Sequence, residues 1–94
     1  MSAKEHVLKT YADYWDAVER GEKPFEVRRD DRGFQKGDVL VLRRMKKGFL
    51  GKWEEDRTYS DNRPRDLRRK ITYVLTGGQL GIEPGYVVLG LKRA

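Results

Sequence analysis

Phe25 and Val27 alternate with Glu26 and Arg28, a period of two that predicts a strand with one apolar face and one face presenting opposite charges. Val39 to Leu42 is apolar throughout, as suits a strand buried on both sides or wrapped into a small barrel. Upstream the period changes to that of a helix. Tyr11, Tyr14, Trp15 and Val18 share one helical face, while Asp13, Asp16, Glu19 and Arg20 lie largely elsewhere. The pattern predicts a helix of about ten residues starting near Tyr11, and its aromatic stripe reads as core rather than ligand cage. Thr10 is placed to cap it, with Asp13 completing a capping box, and Gly21 and Pro24 stop it. His6 to Lys9 precedes the helix as a short first strand.

Arg28 to Arg32 forms a charged corner, and Phe34 and the Gly37-Asp38 step lead into the next strand. Gly48 to Asp66 has no sustained period and reads as a long loop with room for a partial hairpin. Ile71, Tyr73 and Leu75 then alternate with Thr72, Val74 and Thr76 in a half-buried strand ended by Gly77 and Gly78. After Pro84 and Gly85, Tyr86 to Leu91 predicts a strand in the sheet interior. The expected fold is α+β. A single domain, residues 1–94, forms a small mixed barrel of about five strands with one main N-terminal helix covering an opening.

Composition narrows the chemistry. Hydrophobic residues make up 37% and charged residues 38%, a small core under a highly charged surface. No cysteine is present, so disulfides and thiolate metal sites are excluded, and His6 alone cannot build a zinc site. No cofactor is expected. MSAKEHVLK lacks the apolar stretch of a signal peptide, and no run of about 18 apolar residues occurs. The expectation is a cytoplasmic protein with no membrane segment.

Net charge is +6, from 21 Lys and Arg against 15 Asp and Glu. Arg43 to Lys52 holds basic residues and no acid, and Arg63, Arg65, Arg68, Arg69 and Lys70 are interrupted only by Asp66. Such clusters attract polyanions by counterion release, or they are a solvated surface. Arg43, Arg44, Arg68 and Arg69 are therefore candidate RNA contacts, with Trp53 and Tyr59 placed to stack on unpaired bases or to pin the loop. Lys23 and Glu26 read as an acid and base pair or as a salt bridge across a turn. Arg28, Arg29 and Arg32 read as a phosphate clamp oriented by Asp30 and Asp31, or as a solvated turn. His6 reads as a proton shuttle or a structural hydrogen bond. There is no phosphate-binding glycine loop and no dinucleotide fingerprint, and Ser2 and Ser60 have no nearby histidine.

The segments HVLKTYADYWDAVERGEKPFEVRRDDRGFQKGDVLVLRR, RRKITYVLTGG and GYVVLGL resemble small bacterial and phage proteins of the activating signal cointegrator homology (ASCH) superfamily. The similarity is to the branch labelled RNA-binding and ASC-like, and covers nearly the whole chain except residues 46–65. It implies a PUA-like β-barrel, a fold associated with RNA modification and RNA recognition. It also implies a ligand cleft between helix and barrel near the G-x-K turn, where Gly21, Lys23, Glu26 and Arg28 stand and Lys9 contributes. Some members hydrolyse an acylated cytidine with a lysine and a threonine of this turn plus a distant glutamate. The lysine matches Lys23, but the threonine position is Glu26 and no residue is assigned to the glutamate, so that amidohydrolase chemistry is not implied here. Pro24 stands where threonine is common, and Arg44 where an acid usually closes the L-R-E step. Both departures favour anion binding. The expectation is an RNA- or nucleotide-binding domain that holds RNA or a modified base in the cleft. The alternatives are a hydrolase of a modified nucleoside or RNA, and a phage-type accessory protein that binds a host protein through the loop at residues 46–66.

Overall fold

Strand β1 (Glu5–Tyr11) runs parallel to β3 (Val39–Lys47), with Val7 opposite Val41 and Tyr11 opposite Met45. The computed structural model describes residues 3–94, so Ser2 lies outside the described residues. Between β1 and β3 come the helix α1 (Ala12–Glu19) and β2 (Phe25–Arg29). The short β4 (Trp53–Glu55), the long β5 (Asp66–Thr76) and β6 (Tyr86–Arg93) follow. The sheet has six strands in the order β1-β3-β5-β6-β2, with β4 paired to the far end of β3. All pairings except β1 with β3 are antiparallel.

The core follows from the two apolar runs. Leu40 and Leu42 on β3 and Val87 and Leu89 on β6 are fully buried, joined by Leu8, Ile71, Leu91 and Phe34. Helix α1 adds Trp15 and Val18 to this cluster. The Trp15 indole N–H donates to the Leu42 carbonyl at 2.8 Å, which satisfies its polar atom inside the core.

Four expectations need correction. First, the sheet is open: β1 and β2 are its two ends and no ladder joins them. Side chains cross the gap instead, because Arg28 donates to the Lys9 carbonyl at 3.1 Å and Arg32 to the Val7 carbonyl at 2.8 Å. Two guanidinium groups thus occupy edge acceptors that would otherwise invite another strand. Second, Thr10 does not cap the helix. It lies within β1 and is buried, while Tyr11 holds the N-cap position without a side-chain cap. The helix is eight residues long, because the strand pairing with β3 continues through Tyr11.

Third, β2 is turned inside out. Glu26 is 3% exposed, while Phe25 and Val27 are 40% and 49% exposed. Fourth, β5 changes face at a bulge between Ile71 and Tyr73. The extra residue turns Tyr73 outward and sends Val74 toward the core in place of the expected Tyr73 and Leu75. The segment expected as a loop is also partly regular: β3 runs to Lys47, a 3-10 turn covers Phe49–Gly51, and β4 closes a hairpin with Lys47 opposite Trp53. Among the described residues no helix is long and apolar enough to cross a membrane.

Candidate functional site: a charged cleft with an aromatic wall

Gly21, at a φ of 83°, reverses the chain after α1, and its N–H donates to the Val18 carbonyl at 3.1 Å. The Lys23 N–H then donates to the Ala17 carbonyl at 3.1 Å, which fixes the start of β2 against the helix end. From this anchored backbone the Lys23 ammonium donates to Glu26 Oε1 at 2.6 Å. Arg28, two residues along the same strand face, donates through Nε to Glu26 Oε2 at 3.0 Å. One buried carboxylate is therefore held between two cations, the arrangement that makes its burial tolerable. Every buried side-chain polar atom among the described residues has a hydrogen-bond partner.

Arg28 extends the network to β1. Its Nη2 donates to Thr10 Oγ1 at 3.0 Å, and the Thr10 hydroxyl donates to the Leu8 carbonyl at 3.2 Å. Above this charged floor opens a cleft of about 680 Å³. Its floor and rim carry Lys9, Thr10, Lys23, Glu26 and Arg28, and its walls carry Tyr11, Tyr14, Val27, Met45 and Trp53. The Tyr11 and Trp53 rings stand 4.5 Å apart between centroids, and Tyr11 and Tyr14 stand 6.3 Å apart. The Lys23 ammonium lies 5.0 Å from the Tyr14 ring and 5.4 Å from Phe25, so cation–π contact adds to its carboxylate bond. Lys9, Lys23 and Arg28 outweigh the single carboxylate of Glu26, which makes the cleft net positive. It can therefore accept a flat ring against its wall and an anion at its rim, with the remaining lone pairs of Glu26 available to a donor.

Five residues singled out in the sequence, Lys9, Lys23, Glu26, Arg28 and Trp53, come together here. The others do not line this cleft. Arg29 stacks 5.6 Å from the Tyr86 ring, and Arg32 is spent on the Val7 carbonyl. Arg43 forms a two-pronged bond to Asp66 at 3.0 and 3.1 Å, with Glu55 at 3.6 Å. Arg68 does the same with Glu5 at 3.2 and 2.8 Å. Arg69 donates to the Arg68 and Val18 carbonyls, and burial lowers its pKa, helped by the nearby Arg93 charge.

Arg44 is a structural cation. It donates to Asp16 at 2.9 and 2.8 Å and to Asp56 at 2.5 Å, which ties α1, β3 and the segment after β4 together. These bonds to Asp16, together with those to Asp56, raise its pKa despite burial. The Arg44 bond holds Asp16 below the usual carboxylate range, against the opposing effect of burial. Burial pushes Asp56 up, but Arg44, Arg65 and Lys46 outweigh it and hold it low. The Arg44 and Arg65 guanidiniums, which converge on Asp56, also lie 5.7 and 5.2 Å from the Trp15 ring. Arg43, Arg44 and Arg68 are thus paired with acids that come from other elements, which a count along the chain does not see.

His6 is buried and its Nε2 lies 2.9 Å from Asp38 Oδ2, with the ring edge-on to Phe34 at 4.8 Å. Burial raises the Asp38 pKa, but His6 and the backbone N–H groups of Lys4 and Gln35 outweigh it and lower the net value. This is the structural hydrogen bond of the two readings. Tyr59 is fully exposed and does not line the cleft. Among the described residues no cluster of His, Cys, Asp and Glu could hold a metal ion. Sequence reasoning missed Tyr11 and Tyr14, each just over half exposed, by assigning the whole aromatic stripe to the core. The usable signal was the hydroxyl: tyrosine at two of the four stripe positions suits a wall that is apolar on one side and wet on the other.

Comparison with curated proteins finds a relative in an uncharacterized 12.9 kDa protein in the GpA 3′ region of Escherichia phage P2. It is 41% identical over 58 residues, which cover 61% of this chain and 53% of that protein. The chain thus spans about half the length of that relative. A family match covers residues 5–91, almost the entire described fold, including both walls of the cleft. The chain belongs to that family, a domain of unknown function designated DUF3850.

Proposed function

We propose that this domain binds a nucleotide, as a free molecule or as an unstacked unit of RNA, in the cleft between α1 and the sheet. The observation that carries the reading is the pairing of an aromatic wall, Tyr11 with Trp53, and a net positive floor around Glu26. The base lies against the rings, Glu26 accepts from its polar edge, and Lys9 at the rim meets a phosphate. The ASCH and PUA-like resemblance supports the same reading. Because Arg43, Arg44 and Arg68 are paired with carboxylates, affinity rests on the cleft more than on tracking of a long backbone.

The hydrolase reading draws on the 2.6 Å contact between Lys23 and Glu26. Recognition is favoured over it because Arg28 holds the second carboxylate oxygen, which fixes Glu26 in place as an acceptor. Fluorescence anisotropy of a labelled mononucleotide, single-stranded RNA, structured RNA and duplex DNA across a salt series tests the proposal, with Lys23→Ala and Trp53→Ala beside the wild type. Binding that survives physiological salt and falls about tenfold or more in both variants is the expected result. Equal binding by wild type and variants, or binding that vanishes with salt for every ligand, overturns it.

A further inference from the structure

Phe49 and Leu50 form the apex of the β3–β4 hairpin and are 85% and 78% exposed. The turn that carries them is tight: the Gly48 N–H donates to the Lys52 carbonyl at 2.7 Å and the Gly51 N–H to the Gly48 carbonyl at 3.1 Å. Leu50 adopts a φ of 61°, a left-handed conformation rare for a leucine, and neither apex side chain returns to the core. The exposed Glu54 carboxyl group lies over Gly48, so the base of the turn also carries one acid. Lys47 and Lys52 flank the apex. Exposed apolar groups between two cations suit a partner that offers an apolar interior behind an anionic surface.

Trp53 decides which partner that is. It pairs with Lys47 at the base of the apex, and the Lys47 ammonium lies 5.5 Å from its ring. The same indole packs against Tyr11 at a tilt of 40° and lines the cleft. The apex and the cleft are therefore consecutive parts of one surface. A bilayer would call for all three apolar side chains on one side, whereas Trp53 is committed to the cleft. A base-paired nucleic acid fits better, since its stacked bases lie behind two rows of phosphate, and a nucleotide that leaves the stack opens a gap the width of a base.

We propose that Phe49 and Leu50 are a wedge that enters the base stack of a paired nucleic acid and fills the place of the nucleotide turned into the cleft. Lys47 and Lys52 meet the phosphates on either side of the gap. The inference rests on the nucleotide-binding reading of the cleft and adds to it the form of the macromolecular substrate.

The test uses the full chain and 20-base-pair RNA and DNA duplexes carrying 2-aminopurine beside a mismatch, together with a mononucleotide that has no stack to enter. Phe49→Ser and Leu50→Ser, combined in one variant, remove only exposed side chains, and Trp53→Ala reports on the cleft. The expected result is a rise in 2-aminopurine fluorescence with wild type on at least one duplex. In the apex variant the rise is lost and duplex affinity falls about tenfold, while mononucleotide affinity is unchanged. The wedge is overturned, and the cleft reading stands, if the mononucleotide binds but no duplex shows the rise, or if the apex variant behaves as wild type. Absence of any Trp53-dependent nucleotide binding overturns both. Binding of anionic phospholipid vesicles that depends on the apex, without the duplex response, also overturns the wedge.

Discussion

Arg28 on β2 donates to the hydroxyl of Thr10 on β1 at 3.0 Å, joining the two end strands of a sheet that no backbone ladder closes. The same guanidinium holds Glu26 and the Lys9 carbonyl, so one side chain serves both the closure of the fold and the floor of the cleft.

Arg28→Ala should therefore destabilise the domain by about 2 kcal/mol, a fall in Tm of roughly 10 °C for a chain of this size. Hydrogen exchange should rise along the β1 edge before it rises in β3. Arg28→Lys should recover little of the loss, because an ammonium cannot reproduce the fork that spans three acceptors. Thermal denaturation and amide exchange of both variants check this, and full recovery in Arg28→Lys would show that charge alone matters.

Glu26→Gln keeps the shape of the floor and removes its charge. The expected cost is about 1–2 kcal/mol, while Glu26→Leu, which leaves Lys23 and Arg28 facing an apolar group, should cost about 3 kcal/mol or more. Nucleotide binding to Glu26→Gln should keep its stacking energy and change its preference among bases. Urea unfolding and titration with the common mononucleotides separate the two effects.

Acid should unfold the protein through Asp16, Asp38 and Asp56, whose pKa values are all lowered in the fold. A carboxylate with a depressed folded value stabilises above its unfolded pKa of about 3.9, and that stability is lost as pH falls through the folded value. Stability should thus decline with falling pH from about pH 5 downward. In Asp38→Asn the decline should be shallower and start from lower stability. Urea midpoints from pH 7 to pH 2 measure it, and an unchanged slope in Asp38→Asn would remove Asp38 from the account.

Gly77→Ala and Gly81→Ala should differ. A side chain at Gly77 would run into the backbone carbonyl of Glu83 and approach that of Tyr86, whereas Gly81 faces open space and needs only its positive φ of 80°. The first should cost about 3 kcal/mol or more and the second about 1 kcal/mol. Chemical denaturation of the two variants side by side tests whether the β5–β6 connection is packed as tightly as its geometry indicates.

The strands that the sequence made legible are β3 and β6, whose continuous apolar runs can only be buried. For β2 the period was read correctly and the face was not. Alternation shows that Phe25 and Val27 oppose Glu26 and Arg28, but which pair points inward depends on whether the charges find partners. Those partners, Lys23 and Thr10, come from a turn and from another strand. The bulge in β5 was invisible for a similar reason. It lies opposite Gly90 across the sheet, where a Cβ would stand 2.9 Å from Thr72 Oγ1. Lys23, Glu26 and Arg28 were named from their charges around a turn and again through a family resemblance, and Trp53 through its place in a basic segment. Tyr11 and Tyr14 were lost to the assumption that a helical aromatic stripe faces the core. The paired state of Arg43, Arg44 and Arg68 is a property of tertiary contact, since Asp66, Asp16, Asp56 and Glu5 reach them from other elements.

The inverted β2 has one more consequence. Sliding β2 by one residue against β6 would bury Phe25 and Val27 and release Glu26 and Arg28 to water, an exchange that apolar transfer alone would reward. What holds the present register is a lock of ions and carbonyls, and such a lock responds to solutes differently from an oily contact. Guanidinium ions compete for the carboxylate and carbonyl oxygens that Arg28 and Arg32 occupy, whereas urea carries no charge to offer them. The β1–β2 seam should accordingly loosen in guanidinium chloride at strengths where an equally denaturing dose of urea leaves it shut, while the apolar centre of β3 and β6 is indifferent to the choice.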